Sequence, residues 1–105
     1  MIEQLAPVER VPLLRAQAAR FAARLALGRG EEASVEDGFK HSAALLREIG
    51  ARFWLAVVLL EHGEWLVETG RAGEAEPLLG EARETFERLE ATPWLERLET
   101  VAVAA

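Results

Sequence analysis

The sequence predicts an all-α fold: an antiparallel array of helix pairs, about five helices in all, forming two repeats and a terminal helix. Three observations carry this. Apolar residues recur at spacings of three and four over long stretches, the period of a helix face. No segment alternates apolar and polar residues for long enough to be a strand. The chain also echoes itself at an offset of 40 residues: Ala51, Trp54 and Leu55 return as Ala91, Trp94 and Leu95, and Gly30 returns as Gly70. Self-similarity at a fixed period of this size marks a helical solenoid. The echo divides one domain of 105 residues into a degenerate copy over 8–50, a clear copy over 51–90 and a terminal helix over 91–105.

Each element follows from its own residues. Residues 1–6 carry no clear period. Pro7 and Pro12 compete to mark the first helix, since proline suits a first turn better than a helix interior. A continuous first helix is expected from about Val11-Pro12, with residues 8–10 as a lead-in or a short separate turn. Leu13, Leu14, Ala18, Phe21, Ala22, Leu25 and Ala26 give it one apolar face, and Gly28-Arg29-Gly30 stops it. Ser34, with Asp37 three residues on, is the expected cap of the second helix. Phe39, Ala43, Leu46 and Ile49 form that helix's stripe, and Gly50 ends it. The third helix, about 52–69, is apolar on two sides, as a helix sandwiched between neighbours is. Gly63 inside it calls for the close approach of another helix. The fourth helix starts near Gly73 with Pro77 in its first turn, and buries Ala75, Leu78, Leu79, Ala82, Phe86 and Leu89. Thr92-Pro93 opens a fifth helix carrying Trp94, Leu95, Leu98 and Val101.

Composition excludes several function classes. The net charge is −6 and the pI near 5.0. Eleven arginines and one lysine are interspersed with carboxylates. Phosphate backbones bind through clustered cations, so no nucleic-acid partner is expected. The longest apolar run, Phe53–Leu60, has eight residues, far short of the roughly 20 that a membrane helix needs. No membrane association is expected, and with no secretory signal evident the expected location is cytoplasmic. There is no cysteine, so neither a disulfide framework nor a thiolate metal site can form.

Residues 56–86 resemble a tetratricopeptide repeat (TPR). Leu59, His62-Gly63 and Leu66 stand at the signature positions of its first helix, Gly70 at the turn, and Ala75, Leu79 and Ala82 on its second helix. His62 replaces the usual leucine, and Leu66 and Leu79 replace aromatics. Phe86 and Leu89 lengthen the second helix, hence a period of about 40 residues instead of about 34. Residues 40–98 also look like the TPR-like arrays near the C-termini of large bacterial signalling ATPases and transcriptional regulators. The stretches Leu45–Gly50, Leu59–Gly63, Gly70–Ala75, Phe86–Leu89 and Ala91–Trp94 carry that likeness, and Glu90 departs from the glycine usual before Ala91.

The resemblance implies a non-catalytic protein-interaction or oligomerisation module. In TPRs the first helices of successive repeats line a concave face. The offset places Gln17, Arg20, Arg24 and Leu27, then Val57, Leu60, Glu61, Glu64, Val67 and Glu68 on that face, where arginines of one helix would meet glutamates of the next. The expected partner is a protein or peptide, or a second copy of the chain. Helix one is alanine-rich and helix five carries Trp94 and Val101, so neither end reads as a fully polar cap. Self-association as a two-fold dimer, or continuation into a longer array, is therefore expected. The alternative function is effector sensing, with a pocket between helices where Arg20, Arg24 and His62 converge. No catalytic constellation, cofactor or metal site is expected. Glu61-His62 diverge by about 100° on a helix, so His62 reads as a packing residue. The glycine pairs lack the strand and the Gly-Lys-Ser/Thr of a phosphate loop. Repeat equivalence makes Trp54 and Trp94 packing residues. Trp65 is read the same way, with partner anchoring as its competing role.

Overall fold

A computed structural model describes the backbone of residues 7–104 and the side chains of residues 13–104. The expectation for residues 1–6 lies outside the described residues. Among those described there are five helices and no strand: α1 (Pro7–Arg29), α2 (Glu32–Ile49), α3 (Arg52–Glu68), α4 (Ala72–Arg88) and α5 (Thr92–Ala104). The chain divides into two compact units between Ala51 and Arg52, the boundary at which the sequence repeat restarts.

One turn is built four times, every 20 residues. Gly30, Gly50, Gly70 and Glu90 adopt left-handed backbone, with φ of 73°, 72°, 80° and 54°. Each donates its N–H to the carbonyl three residues back, and the following residue donates to the carbonyl five residues back. The second bonds are Glu31 to Ala26 (3.0 Å), Ala51 to Leu46 (3.0 Å), Arg71 to Leu66 (2.7 Å) and Ala91 to Phe86 (2.9 Å). This paired pattern satisfies the orphan carbonyls of a helix end. The residue that closes one helix also opens the next. The carbonyls of Glu31, Arg71 and Ala91 accept from Val35, Glu74 and Leu95.

That economy moves two expected boundaries, and a third moves at the start of α1. α2 begins at Glu32, not at a Ser34 cap. Glu31 is already placed by the turn, and no side-chain cap bond forms there. α4 begins at Ala72, so Pro77 lies in the second turn rather than the first. Its missing N–H frees a carbonyl at Gly73, which is exposed and open to water. α1 begins at Pro7 and runs through Pro12 unbroken. Proline's fixed φ is itself helical, although its ring removes one ladder bond and crowds the carbonyl four residues back. α5 likewise continues to Ala104.

In the first unit, α2 buries Val35, Phe39, Ser42 and Leu46. α1 faces it with small residues: Ala16 and Ala23 are 0% exposed and Ala26 5%. A Cβ placed on Gly38 would lie 2.7 Å from the Ala23 Cβ and 3.1 Å from the Ala19 carbonyl oxygen, so the two backbones are nearly in contact. The Ser42 hydroxyl donates to the Ala16 carbonyl at 2.7 Å, which satisfies a buried polar group.

The second unit repeats this plan with different volumes. α4 buries Ala75, Leu79, Ala82 and Phe86, the α2 positions advanced by 40. α3 is buried on every side from Leu55 to Gly63, as its two apolar faces require. Gly63 has the predicted close neighbour: a Cβ there would meet Leu79 Cδ2 at 2.7 Å. Phe53, Phe86 and Trp94 form a cluster joining α3, α4 and α5. Phe86 stacks on Trp94 at 5.8 Å, and Phe53 meets Trp94 edge-on at 5.8 Å. Burying a phenylalanine such as Phe86 stabilises by roughly 1.5–3 kcal/mol.

Candidate functional site

The apolar face expected to be the inner face of α1 is largely an outer one. Leu14, Phe21 and Leu25 are 51%, 59% and 61% exposed, and Ala18 and Ala22 are exposed with them. The physical reason is separation. Hydrophobic periodicity finds the largest residues, whereas the α1–α2 seam is too narrow for anything larger than alanine. Ala16, Ala23 and Ala26 point into the seam. The stripe Leu14, Ala18, Phe21, Leu25 lies on the opposite side, at spacings of four, three and four. That is the seam pattern of a helix that pairs with another helix. Arg15 and Arg24 flank it and are exposed. The Arg20 guanidinium lies 5.8 Å from the Phe21 ring centroid, within cation–π range. The signal was present in the sequence. Gly38 and Ser42 on the next helix, small residues four apart, demand a small-faced partner.

The structure separates the residues expected on a concave face into two kinds. In the first unit Gln17 and Arg20 are half-buried, and Arg24 and Leu27 are exposed. In the second unit Val57 and Leu60 are 0% exposed and Glu61 is 4% exposed. Their burial leaves no open floor at those three positions. Glu64 and Val67 are half-buried and Glu68 is exposed. Glu64 is engaged from within its own unit. Arg97 of α5 donates to it through two bonds, Nε at 2.7 Å and Nη2 at 2.6 Å. The Arg97 guanidinium also lies 5.6 Å from the Trp94 ring centroid. Its hydrogen bonds to Glu64 raise its pKa above the usual arginine value, against the opposing effect of partial burial, and the charge of Glu61 adds to the rise. Two parallel N–H···O bonds between these planes fix position as well as charge.

The aromatic residues settle inward. Trp65 is 4% exposed, with the Arg71 guanidinium 5.5 Å from its centroid, so it is packed. His62 is 5% exposed, with its ring 6.0 Å from that of Trp65. Trp94, expected as a packing residue, lies against Phe86 and Phe53. Trp54 remains 36% exposed.

A cleft of about 560 Å³ lies between α4 and α5, lined by Glu76, Leu79, Gly80, Arg83 and Ala102 among others. Arg83 pairs with Glu99 at 2.8 Å. Among the described residues no group of three or more His, Asp or Glu side chains converges as metal ligands would. Nor does any helix among them have the length and apolarity to cross a membrane.

Comparisons of the chain with protein-family models, with curated proteins and with solved structures return no match.

Proposed function

We propose that the chain is a TPR-like, non-catalytic interaction or oligomerisation module of a bacterial signalling or transcriptional regulator, working in the cytoplasm. The observation that carries this reading is the outward stripe of α1. A helix whose alanines serve its own pair, and whose leucines and phenylalanine face outward at seam spacing, is suited to receive another helix. The repeated elements support it as well, because they consist of turn and packing positions, which make a scaffold.

Placing a photoreactive residue at Phe21 in cells tests the proposal. A discrete crosslinked species, either a second copy or another protein, is expected. Only diffuse labelling, equal to that from a photoreactive residue at exposed Glu87, would refute it.

Effector sensing is the second reading. The α4–α5 cleft favours it, since Glu76 and Arg83 offer polar contacts beside an apolar wall. A thermal-shift screen with nucleotides and small metabolites tests it. A ligand whose stabilisation is lost in Arg83→Ala would favour sensing over docking.

A further inference from the structure

We infer that the α1 stripe is the contact of a homodimer, in which α1 packs antiparallel on the α1 of a second copy about a two-fold axis near residues 19–20. The inference rests on the interaction reading above and names its partner.

The stripe is self-complementary in one register. Turning a second helix end for end sets Leu14 against the partner's Leu25. It also sets Ala18 against the partner's Phe21, and Phe21 against the partner's Ala18. Each phenylalanine, 59% exposed on its own copy, therefore has an alanine opposite it to leave room. Every layer in this register balances volume, and the operation is isologous, as a closed dimer requires.

Parallel pairing fails on both counts. It would stack Phe21 on the partner's Phe21 and leave Ala18 facing the partner's Ala18, crowding one layer and emptying the next. It would also set Arg24 beside the partner's Arg29, a like charge. In the antiparallel register the flanking positions bring Arg15 beside the partner's Ala22, and Gln17 beside the partner's Arg24. No like charges meet. Charge at the edges of such a seam sets orientation, and here it selects antiparallel.

The area sets the strength. Each copy covers roughly 300 Å² of apolar side chain, about 600 Å² for the pair, which is below the standard interface and in the range of weak, transient contacts. A weak, readily reversible dimer is expected.

Sedimentation equilibrium of the full chain, with a cysteine assay for register, tests this. The wild-type chain is expected to dimerise with concentration. Phe21→Glu is expected to be monomeric, with helix content unchanged because the side chain is exposed. The chain has no cysteine of its own, so introduced thiols report cleanly. Under mild oxidation Leu14→Cys alone and Leu25→Cys alone are expected to stay uncrosslinked, because like positions lie ~16 Å apart along the axis. A mixture of the two is expected to form the disulfide-linked pair. A wild-type chain monomeric at several hundred micromolar, a dimer indifferent to Phe21→Glu, or crosslinking of the single variants to themselves would each overturn the proposal. A monomer that still gives a discrete Phe21 photocrosslink to another protein removes the self-pairing and leaves the interaction reading in place. A monomer with only diffuse labelling removes both.

Discussion

Replacing Gly38 with alanine is expected to destabilise the chain, against the rule that alanine is the better helix former. Local propensity alone would gain about 0.5–1 kcal/mol. The new Cβ, however, would stand 2.7 Å from the Ala23 Cβ, 3.0 Å from its Cα and 3.1 Å from the Ala19 carbonyl oxygen. These atoms belong to, or sit directly on, a helical backbone and cannot swing away. Relieving the overlap requires α1 and α2 to part by roughly 0.5–1 Å, and a gap of that size forfeits a quarter to a half of each contact's attraction. It would also stretch the Ser42–Ala16 hydrogen bond from 2.7 Å. Overpacking of this kind costs roughly 1–3 kcal/mol, so the net loss is about 1–2 kcal/mol, a fall in Tm on the order of 5–10 °C for a chain of this size. Urea denaturation followed by circular dichroism measures it, with two companions. Gly80→Ala meets nothing within 4 Å and is expected to stabilise by about 0.5–1 kcal/mol. Gly63→Ala meets only the end of the Leu79 side chain and is expected to fall between the two. If Gly38→Ala raises the midpoint as far as Gly80→Ala does, the close-seam argument is wrong.

Other outcomes follow from the same geometry. Glu90→Gly removes the one described non-glycine residue with positive φ and is expected to stabilise by about 0.5–1 kcal/mol; a loss of stability in denaturant titration would contradict the turn assignment. Arg97→Lys keeps the charge but loses the two-bond fork to Glu64 and the face contact with Trp94. It is expected to cost about 1 kcal/mol, discounted for partial exposure, and to shift tryptophan emission; a wild-type spectrum and midpoint would refute this. Phe86→Ala empties a 0% exposed site between Phe53 and Trp94. It is expected to cost about 3–5 kcal/mol, and a midpoint within a degree or two of wild type would show that the cluster contributes little.

Much of this was legible from residues alone. Glycines at 30, 50 and 70 marked the helix ends, because only they reach left-handed backbone without penalty. Phe39, Leu46, Ala75, Leu79, Ala82 and Phe86 were read as inner residues and are buried. The inner-face readings failed at Ile49, 37% exposed, and Leu89, 52% exposed. Both sit in the last turn, where the chain is about to reverse and a side chain has no facing helix. The reading failed most instructively on α1. Periodicity weighs side chains by size and says nothing about how near two backbones come. Periodicity therefore picks out Leu14, Phe21 and Leu25 together with Ala26, and of these only Ala26 is buried, beside Ala16 and Ala23, which it misses. The pairing of Glu64 with Arg97 was not legible, because no local spacing connects the two residues.

The shared joint residues limit how such a chain can change its length. In most proteins insertions and deletions accumulate in loops, where spare residues absorb them. Here Glu31, Arg71 and Ala91 each close one helix and open the next, so the joints hold no spare residue. Adding a single residue inside a helix would turn everything downstream by about 100°, and buried positions would become outer ones. Growth or shortening is tolerated only in whole helix pairs of about 40 residues, the period at which the buried pattern returns.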